Sequence, residues 1–266
     1  MIFHSHIPIE ALQPYVQCYL EADGTQNILA GEYTLFPNGL SGIFFNFGNT
    51  GKIILKEEHQ TPRVSIFGQI DQHFTITHSP SFYSIGILLK PTVLSWLFRV
   101  DMHEFTNKAF DGSLLRDDLH SLHHQLQEYA TASGKINCIE QYLCRMILNM
   151  PPPVTLVEHA VHLIHSAKTV SIHELARHFN VSQRYLETQF QKKIGLSPKT
   201  YSLIQRFKRM ERQIIKMPTV HWQQMQFANE YFDQNHFIKD FRRFTGRTPS
   251  SYLLENLEMG RSYLNA

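Results

Sequence analysis

The chain is 266 residues long, 42% apolar, with a formal net charge of +2. That length predicts two domains, and that apolar share suffices for ordinary cores. Three cysteines, Cys18, Cys138 and Cys144, with no CxxC, exclude a disulfide framework and a cysteine-built zinc site, and a reducing cytosol is the expected setting.

The first ninety residues are dense in strand formers and turn signals. Gly39, Gly42, Gly48, Gly51 and Gly68 punctuate runs such as Ile43-Phe44-Phe45-Asn46-Phe47 and Lys52-Ile53-Ile54-Leu55. Short β-branched and aromatic runs between such turns predict a barrel or sandwich. The aromatic cluster Phe44, Phe45, Phe47, Phe67, Phe74, Phe82 and Tyr83 is read as barrel core, with an effector pocket lined by part of it as the alternative.

The period changes at Pro91. Val93, Leu94, Leu97 and Phe98 fall at helical spacing, and residues 91–150 are read as helical. Leu115, Leu119, Leu122 and Leu126 line one amphipathic helix, and Ile139, Tyr142, Leu143, Met146 and Ile147 line a second, with Ser133-Gly134 dividing them. The most apolar stretch, Ile85 to Val100, is broken by Lys90-Pro91 and Arg99, too short and interrupted to span a bilayer. No basic segment followed by an apolar run opens the chain, so a secretory leader is not expected. Pro151-Pro152-Pro153 forms a stiff break without N–H donors, the expected boundary between domains 1–150 and 151–266.

Charge inverts at that break. Residues 1–153 hold 9 Lys+Arg and 14 Asp+Glu, a net of −5; residues 154–266 hold 16 and 9, a net of +7. An acidic half joined to a basic half predicts that the second meets a polyanion.

Within the basic half one unit is written twice. Ser182, Gln183, Leu186, Phe190, Lys192, Gly195, Ser197, Pro198 and Tyr201 recur 51 residues on as Asp233, Gln234, Phe237, Phe241, Arg243, Gly246, Thr248, Pro249 and Tyr252. Each copy is a capped amphipathic helix, a glycine stop and a new helix start. Before the first copy, Ser171 and Glu174 form a capping box, and Ile172, Leu175, Ala176 and Phe179 make an apolar face. Asn180 supplies the left-handed turn, so residues 171–194 predict a helix-turn-helix with Tyr185, Leu186 and Phe190 inward. Gln183, Arg184, Glu187, Thr188 and Gln191 then face outward toward base edges, and Lys192 and Lys193 suit phosphates. In the second copy Gln234, Asn235, Ile238 and Lys239 are the base-facing candidates, and Arg242, Arg243 and Arg247 the phosphate candidates. A helix from Pro198 to about Lys216 joins the copies. Its length is roughly 28 Å at about 1.5 Å per residue, close to the spacing of about 34 Å between successive major-groove faces.

Here the chain resembles the AraC/XylS family of bacterial transcription regulators, over roughly residues 155–255. The resemblance rests on Leu175-Ala176, Ser182 to Phe190, Gly195-Leu196-Ser197-Pro198 with Tyr201, and Arg206. It continues through Phe232-Asp233-Gln234-Asn235-His236-Phe237 and Phe241 to Pro249 with Tyr252. Tyr15-Val16-Gln17-Cys18-Tyr19, Leu35-Phe36-Pro37-Asn38-Gly39, Phe67-Gly68-Gln69 and Lys90-Pro91 resemble the sensor domain of one subgroup. The resemblance implies an α+β chain: a cupin-like barrel with trailing, often dimerising, helices, then an all-α domain with two helix-turn-helix motifs. It implies a cytoplasmic, non-enzymatic regulator that binds double-stranded DNA. A small-molecule effector, a second copy of the chain and RNA polymerase are further candidate partners. Gln226 and Glu230 depart from the small residues usual in the second motif. Glu at a left-handed turn costs about 1 kcal/mol, which predicts a splayed second motif or one that holds mainly phosphates.

Two other readings stay open: a cupin-type metalloenzyme with an accessory DNA-binding domain, and an interaction module whose second motif has lost DNA. No GxSxG, P-loop or dinucleotide glycine pattern is present. His159, His162 and His165 fall at i, i+3 and i+6, and His123 and His124 are adjacent. The pairs His4/His6 and His73/His78 could approach one another, but no carboxylate completes a convincing set. No metal or cofactor is expected.

Overall fold

The structure, a computed structural model, describes residues 2–25, 31–48, 52–54, 58–148, 150, 154–166, 171–216, 234–248 and 251–252. The Pro151–Pro153 break, Gln226 and Glu230 lie outside them.

The N-terminal part is a two-sheet barrel. One sheet has the order β1-β2-β9-β4-β7-β10 (Ile2–His6, Val16–Gly24, Phe82–Leu89, Ser41–Phe47, Val64–Phe67 and Ala109–Asp111). The other has the order β3-β8-β5-β6 (Gly31–Leu35, Phe74–His78, Lys52–Ile54 and Glu58–Gln60). All recorded pairings are antiparallel. Strand β10 corrects the expectation that residues 91–150 are helical throughout. Three residues of strand are too few to show a period, and they are fixed by pairing Ala109 with Phe67 rather than by local preference.

Strand alternation divides the aromatic cluster between two compartments. Phe44, Phe67, Phe74 and Phe82 line the barrel cavity. Phe45, Phe47 and Tyr83 face the opposite side, where they pack on α1 (Val93–Phe98), α2 (Asp117–Gln127) and α3 (Ala132–Ile147). A bulge between Val16 and Cys18 shifts the register of β2. That lets Val16 and Tyr19 join the helix-side core while Cys18 and Leu20 join the barrel side. His123 is buried there: its Nε2 lies 2.8 Å from Asn46 O and its ring stacks on Phe47 at 5.1 Å.

The break between α2 and α3 falls before Ser133-Gly134, which lie inside the first turn of α3. Thr131 caps that helix by accepting from the Gly134 N–H at 3.1 Å. Leu115 precedes α2 rather than lining it.

The C-terminal part is helical: α4 (Leu156–Ser166), α5 (Ile172–His178), α6 (Gln183–Ile194), α7 (Pro198–Lys216) and α8 (Gln234–Thr245). It has its own core, built on Leu175, Leu186, Phe190, Tyr201, Phe207 and Phe241 among others. Phe36 of the barrel joins this core, 5.7 Å from the Tyr252 ring. No helix among the described residues is long and apolar enough to cross a membrane.

Candidate nucleic-acid interface

The first motif follows its local chemistry. Ser171 Oγ accepts from Glu174 N at 3.1 Å, and Glu174 Oε2 accepts from Ser171 N at 3.2 Å, satisfying two orphan donors of α5. These bonds hold the Glu174 carboxyl below the usual carboxylate range. Asn180 takes φ 53° and turns the chain, and the Val181 N–H donates to Ala176 O at 3.0 Å. Ser182 caps α6 through Tyr185 N at 3.1 Å.

Leu186, Phe190 and Ile194, at i, i+4 and i+8, are fully buried. Burial of side chains this size contributes about 1.5–3 kcal/mol each, which fixes the rotation of α6. Gln183, Arg184, Glu187, Thr188, Gln191 and Lys192 are then exposed, and Lys193 is half-buried. Tyr185 corrects the sequence reading. Expected inward, it is 50% exposed, because the buried stripe runs one residue later and leaves its ring beside Arg184 on the outer face. Gln191 is less available than its exposure suggests. Its amide lies 3.3 Å from both Gly195 O and Ser197 N, where it closes the helix end.

Ser197 caps α7 by accepting from Thr200 N at 3.1 Å, with Pro198 in the first turn, where a missing N–H is harmless. The helix has 19 residues and buries Tyr201, Ile204, Phe207 and Met210. It packs on α6 at one end and α8 at the other, where Arg206 faces Asp240 at 3.9 Å.

In α8, Phe237, Phe241 and Phe244 are buried, and Asn235, Lys239, Arg242 and Arg243 are exposed. The side chain of Gln234 lies outside the described residues. Ile238, expected outward, is half-buried and packed against the core. Arg247 is half-buried. Arg243 is exposed but engaged: its Nη2 meets Asp71 Oδ2 at 2.7 Å, and its Nε donates to Asp71 O at 3.2 Å. His73 Nδ1 lies 3.5 Å from Arg243 O.

The first motif is also held by the N-terminal part, where Thr106 Oγ1 donates to Gly195 O at 2.6 Å. These anchors, Asp71, His73 and Thr106, carry no sequence signal, because they are surface polar residues far along the chain from what they touch. Among the described residues no group of three or more His, Cys, Asp or Glu is placed to hold a metal ion.

Two family models match the sequence. Residues 175–255 match a family described as a helix-turn-helix domain, and residues 4–111 match a domain of unknown function. No curated protein matches the sequence. Among solved structures, a point variant of ToxT from Vibrio cholerae, in its apo form, is similar at TM-score 0.50 and 12% identity, over 89% of this chain and 97% of that one. The AraC-like transcriptional activator CuxR aligns at TM-score 0.31 and 11% identity, over 81% of this chain and 87% of that one. Residues 175–255 thus form a helix-turn-helix domain, and the chain as a whole shares its fold with the ToxT variant.

Proposed function

We propose that this protein is a cytoplasmic, sequence-specific regulator that reads two adjacent major grooves, α6 in one and α8 in the next, and performs no covalent chemistry. The observation that carries this is the outer face of α6. Its start is capped, its rotation is fixed by Leu186, Phe190 and Ile194, and its open face presents Arg184, Glu187 and Thr188 together. Arg184 meets a guanine edge, and Lys192, two turns on, holds a phosphate. In α8, Asn235 and Lys239 face bases, while Ile238, half in the core, has at most a methyl edge to offer a thymine. Arg242, Arg243 and Arg247 serve phosphates.

We place the domain boundary at 150/151, a reading supported by the charge inversion near it and by separate hydrophobic cores before and after it. A fragment starting at Val154 should fold as helix and bind DNA. An unfolded fragment beside a DNA-binding intact chain would sink the two-domain reading.

Control comes from the barrel. Its cavity of about 80 Å³ is lined by Phe44, Phe67, Phe74 and Phe82, and by Ser41 and Thr61. Ser41 Oγ and Thr61 Oγ1 are buried there without a hydrogen-bond partner. Buried hydroxyls left so are costly, so a small, mostly apolar effector with one or two polar atoms suits the space. Titration of Arg184→Ala against a preferred and a scrambled site tests the DNA reading. Loss of preference at one base position supports it, and an equal loss on both DNAs counts against it.

A further inference from the structure

Outside the barrel cavity and the reading helices, a second cavity lies where the two parts of the molecule meet. Its volume is about 460 Å³, within the usual range for small-ligand sites. Its walls differ in kind from those of the barrel. Lys90 comes from the turn after β9, His162 and His165 from α4, and Lys208, Arg209 and Arg212 from α7. Among the described residues on this wall the one carboxylate is Glu158, which also accepts from Thr155 N at 2.9 Å to cap α4. A second carboxylate, Glu211, stands behind Lys208 rather than on the wall, and it accepts from Tyr252 OH at 3.0 Å. Among the described residues, four basic side chains and two histidines therefore line a partly enclosed space with one acid.

Like charges gathered this closely repel one another. Burial and then Arg212 push Lys208 down to about 8, although Glu211 pulls the other way. His165, whose ring is open to the cavity and lies 2.8 Å from Tyr201 OH, is held below the usual imidazole range. The surrounding protein lowers it first, then Lys208, Arg209, Arg212 and His162. Burial also lowers Lys90. Repulsion of this kind costs stability that one bound counter-charge would return.

We propose that the cavity bounded by Lys90, α4 and α7 binds a small polyanion, one molecule carrying at least two negative charges as phosphoryl or carboxylate groups. A singly charged ligand would offset only a small part of the converging positive charge. A duplex is too wide to enter the space. The polar share of this wall is far larger than that of the phenylalanine-lined barrel. Arg212, exposed at the cavity, gives a planar fork that matches either oxyanion.

The ligand would tie α7 to the barrel. Asn38 of the 36–40 loop lines both cavities, and Gln205 and Lys208 of α7 line the interdomain one. Helix α7 sets the separation of the two reading helices. Binding at this point therefore acts on DNA affinity through the same rod, stabilising by mass action whichever arrangement the ligand bridges.

Calorimetric titration of the intact chain with pyrophosphate, citrate and decanoate, at fixed ionic strength and without DNA, tests this. Pyrophosphate or citrate should bind with one-to-one stoichiometry, and the preferred one names the oxyanion class. Arg212→Gln and Lys208→Gln should each weaken binding about tenfold, the usual size of one charged hydrogen bond. Glu158→Gln should strengthen it, a gain that damage to the fold would not produce. Lys108→Gln, on an exposed residue away from the cavity, should change nothing. Arg212 is exposed, so its removal spares the core even if Lys208→Gln unfolds the chain. The proposal is overturned if neither polyanion binds, if only decanoate binds, or if Lys108→Gln costs as much as Arg212→Gln. Because DNA is absent, this outcome is independent of the roles given to α6 and α8.

Discussion

Helices α6 and α8 are two copies of one unit, and both end against the barrel domain. Gly195 at φ 92° and Gly246 at φ 73° are equivalent glycines that close the two helices. What they press on differs. A side chain at Gly195 would meet Met102 O at 2.6 Å and Thr106 Oγ1 at 2.7 Å, so the obstacle includes rigid backbone. A side chain at Gly246 would meet the His73 ring, with Cε1 at 2.7 Å, which can swing away. The outer faces differ in the same sense. The exposed face of α6 carries no recorded ion pair to the N-terminal part among the described residues, which holds this helix at its end through Thr106, whereas α8 has Arg243 drawn from its exposed face onto Asp71. One repeated sequence thus meets the barrel domain in two ways, by a backbone contact at the first copy and by an ion pair at the second.

The largest effects come from the glycines. Gly195→Ala should destabilise by about 3 kcal/mol, combining left-handed strain with overpacking against backbone. Gly246→Ala should cost about 1–2 kcal/mol, mostly strain. Urea unfolding of the intact chain measures both. His73→Ala should recover part of the Gly246→Ala loss in a double-mutant cycle, while Thr106→Ala should recover little of the Gly195→Ala loss. Equal losses, with no recovery from His73→Ala, would show that the barrel does not rest on Gly246 in solution.

The next effect separates reading from holding within α6. Arg184→Ala should cost about 1–3 kcal/mol on the preferred site and blur one base position. Lys192→Ala should weaken all sequences alike and lower the salt slope by roughly 1. Tyr185→Ala belongs beside them, since its half-exposed ring stands next to Arg184. A loss confined to the preferred site would add it to the readers. If neither Arg184→Ala nor Lys192→Ala changes binding, α6 is not the reader.

What the sequence makes legible follows the range of the interactions. The bounds of α7, the capping box at Ser171 and Glu174, and the left-handed Asn180 all depend on residues within a few positions, and all are as expected. Tyr185 falls outside the buried stripe of α6 despite its helical spacing. An aromatic ring at that spacing fits either face until Ile194 is seen to extend the stripe. Strand β10, the division of the phenylalanines between two compartments, and the sheet order depend on pairing across tens of residues. The interdomain cavity is the extreme case. In the sequence, His162 and His165 stand out only as a poor metal spacing, and Lys208, Arg209 and Arg212 as ordinary charges on a helix. The exposed face of α6 is visible because helical period alone selects it, and the Asp71 clamp on α8 is not.

The smallest expected effect tests that clamp. Asp71 is positioned for its role: Asn107 Nδ2 donates to its Oδ1 at 2.8 Å, and its own N–H donates to Asn107 Oδ1 at 3.0 Å. The pair with Arg243 is partly open to solvent, with side-chain exposures of 39% for the arginine and 27% for the aspartate. A pair so exposed is worth about 0.5 kcal/mol, so Asp71→Asn, which keeps the size of the side chain, should raise DNA affinity about twofold to threefold. The gain should shrink as salt is added, because the pair it removes is screened. Arg243→Ala should instead lower affinity on every sequence, since it removes the phosphate contact along with the clamp. Fluorescence titration of both variants at several salt concentrations distinguishes two roles for the barrel. If Asp71→Asn binds more tightly, the sensor domain competes with DNA for Arg243. If it binds less tightly, the clamp holds α8 in position for the groove, and the shared charge is a brace rather than a brake.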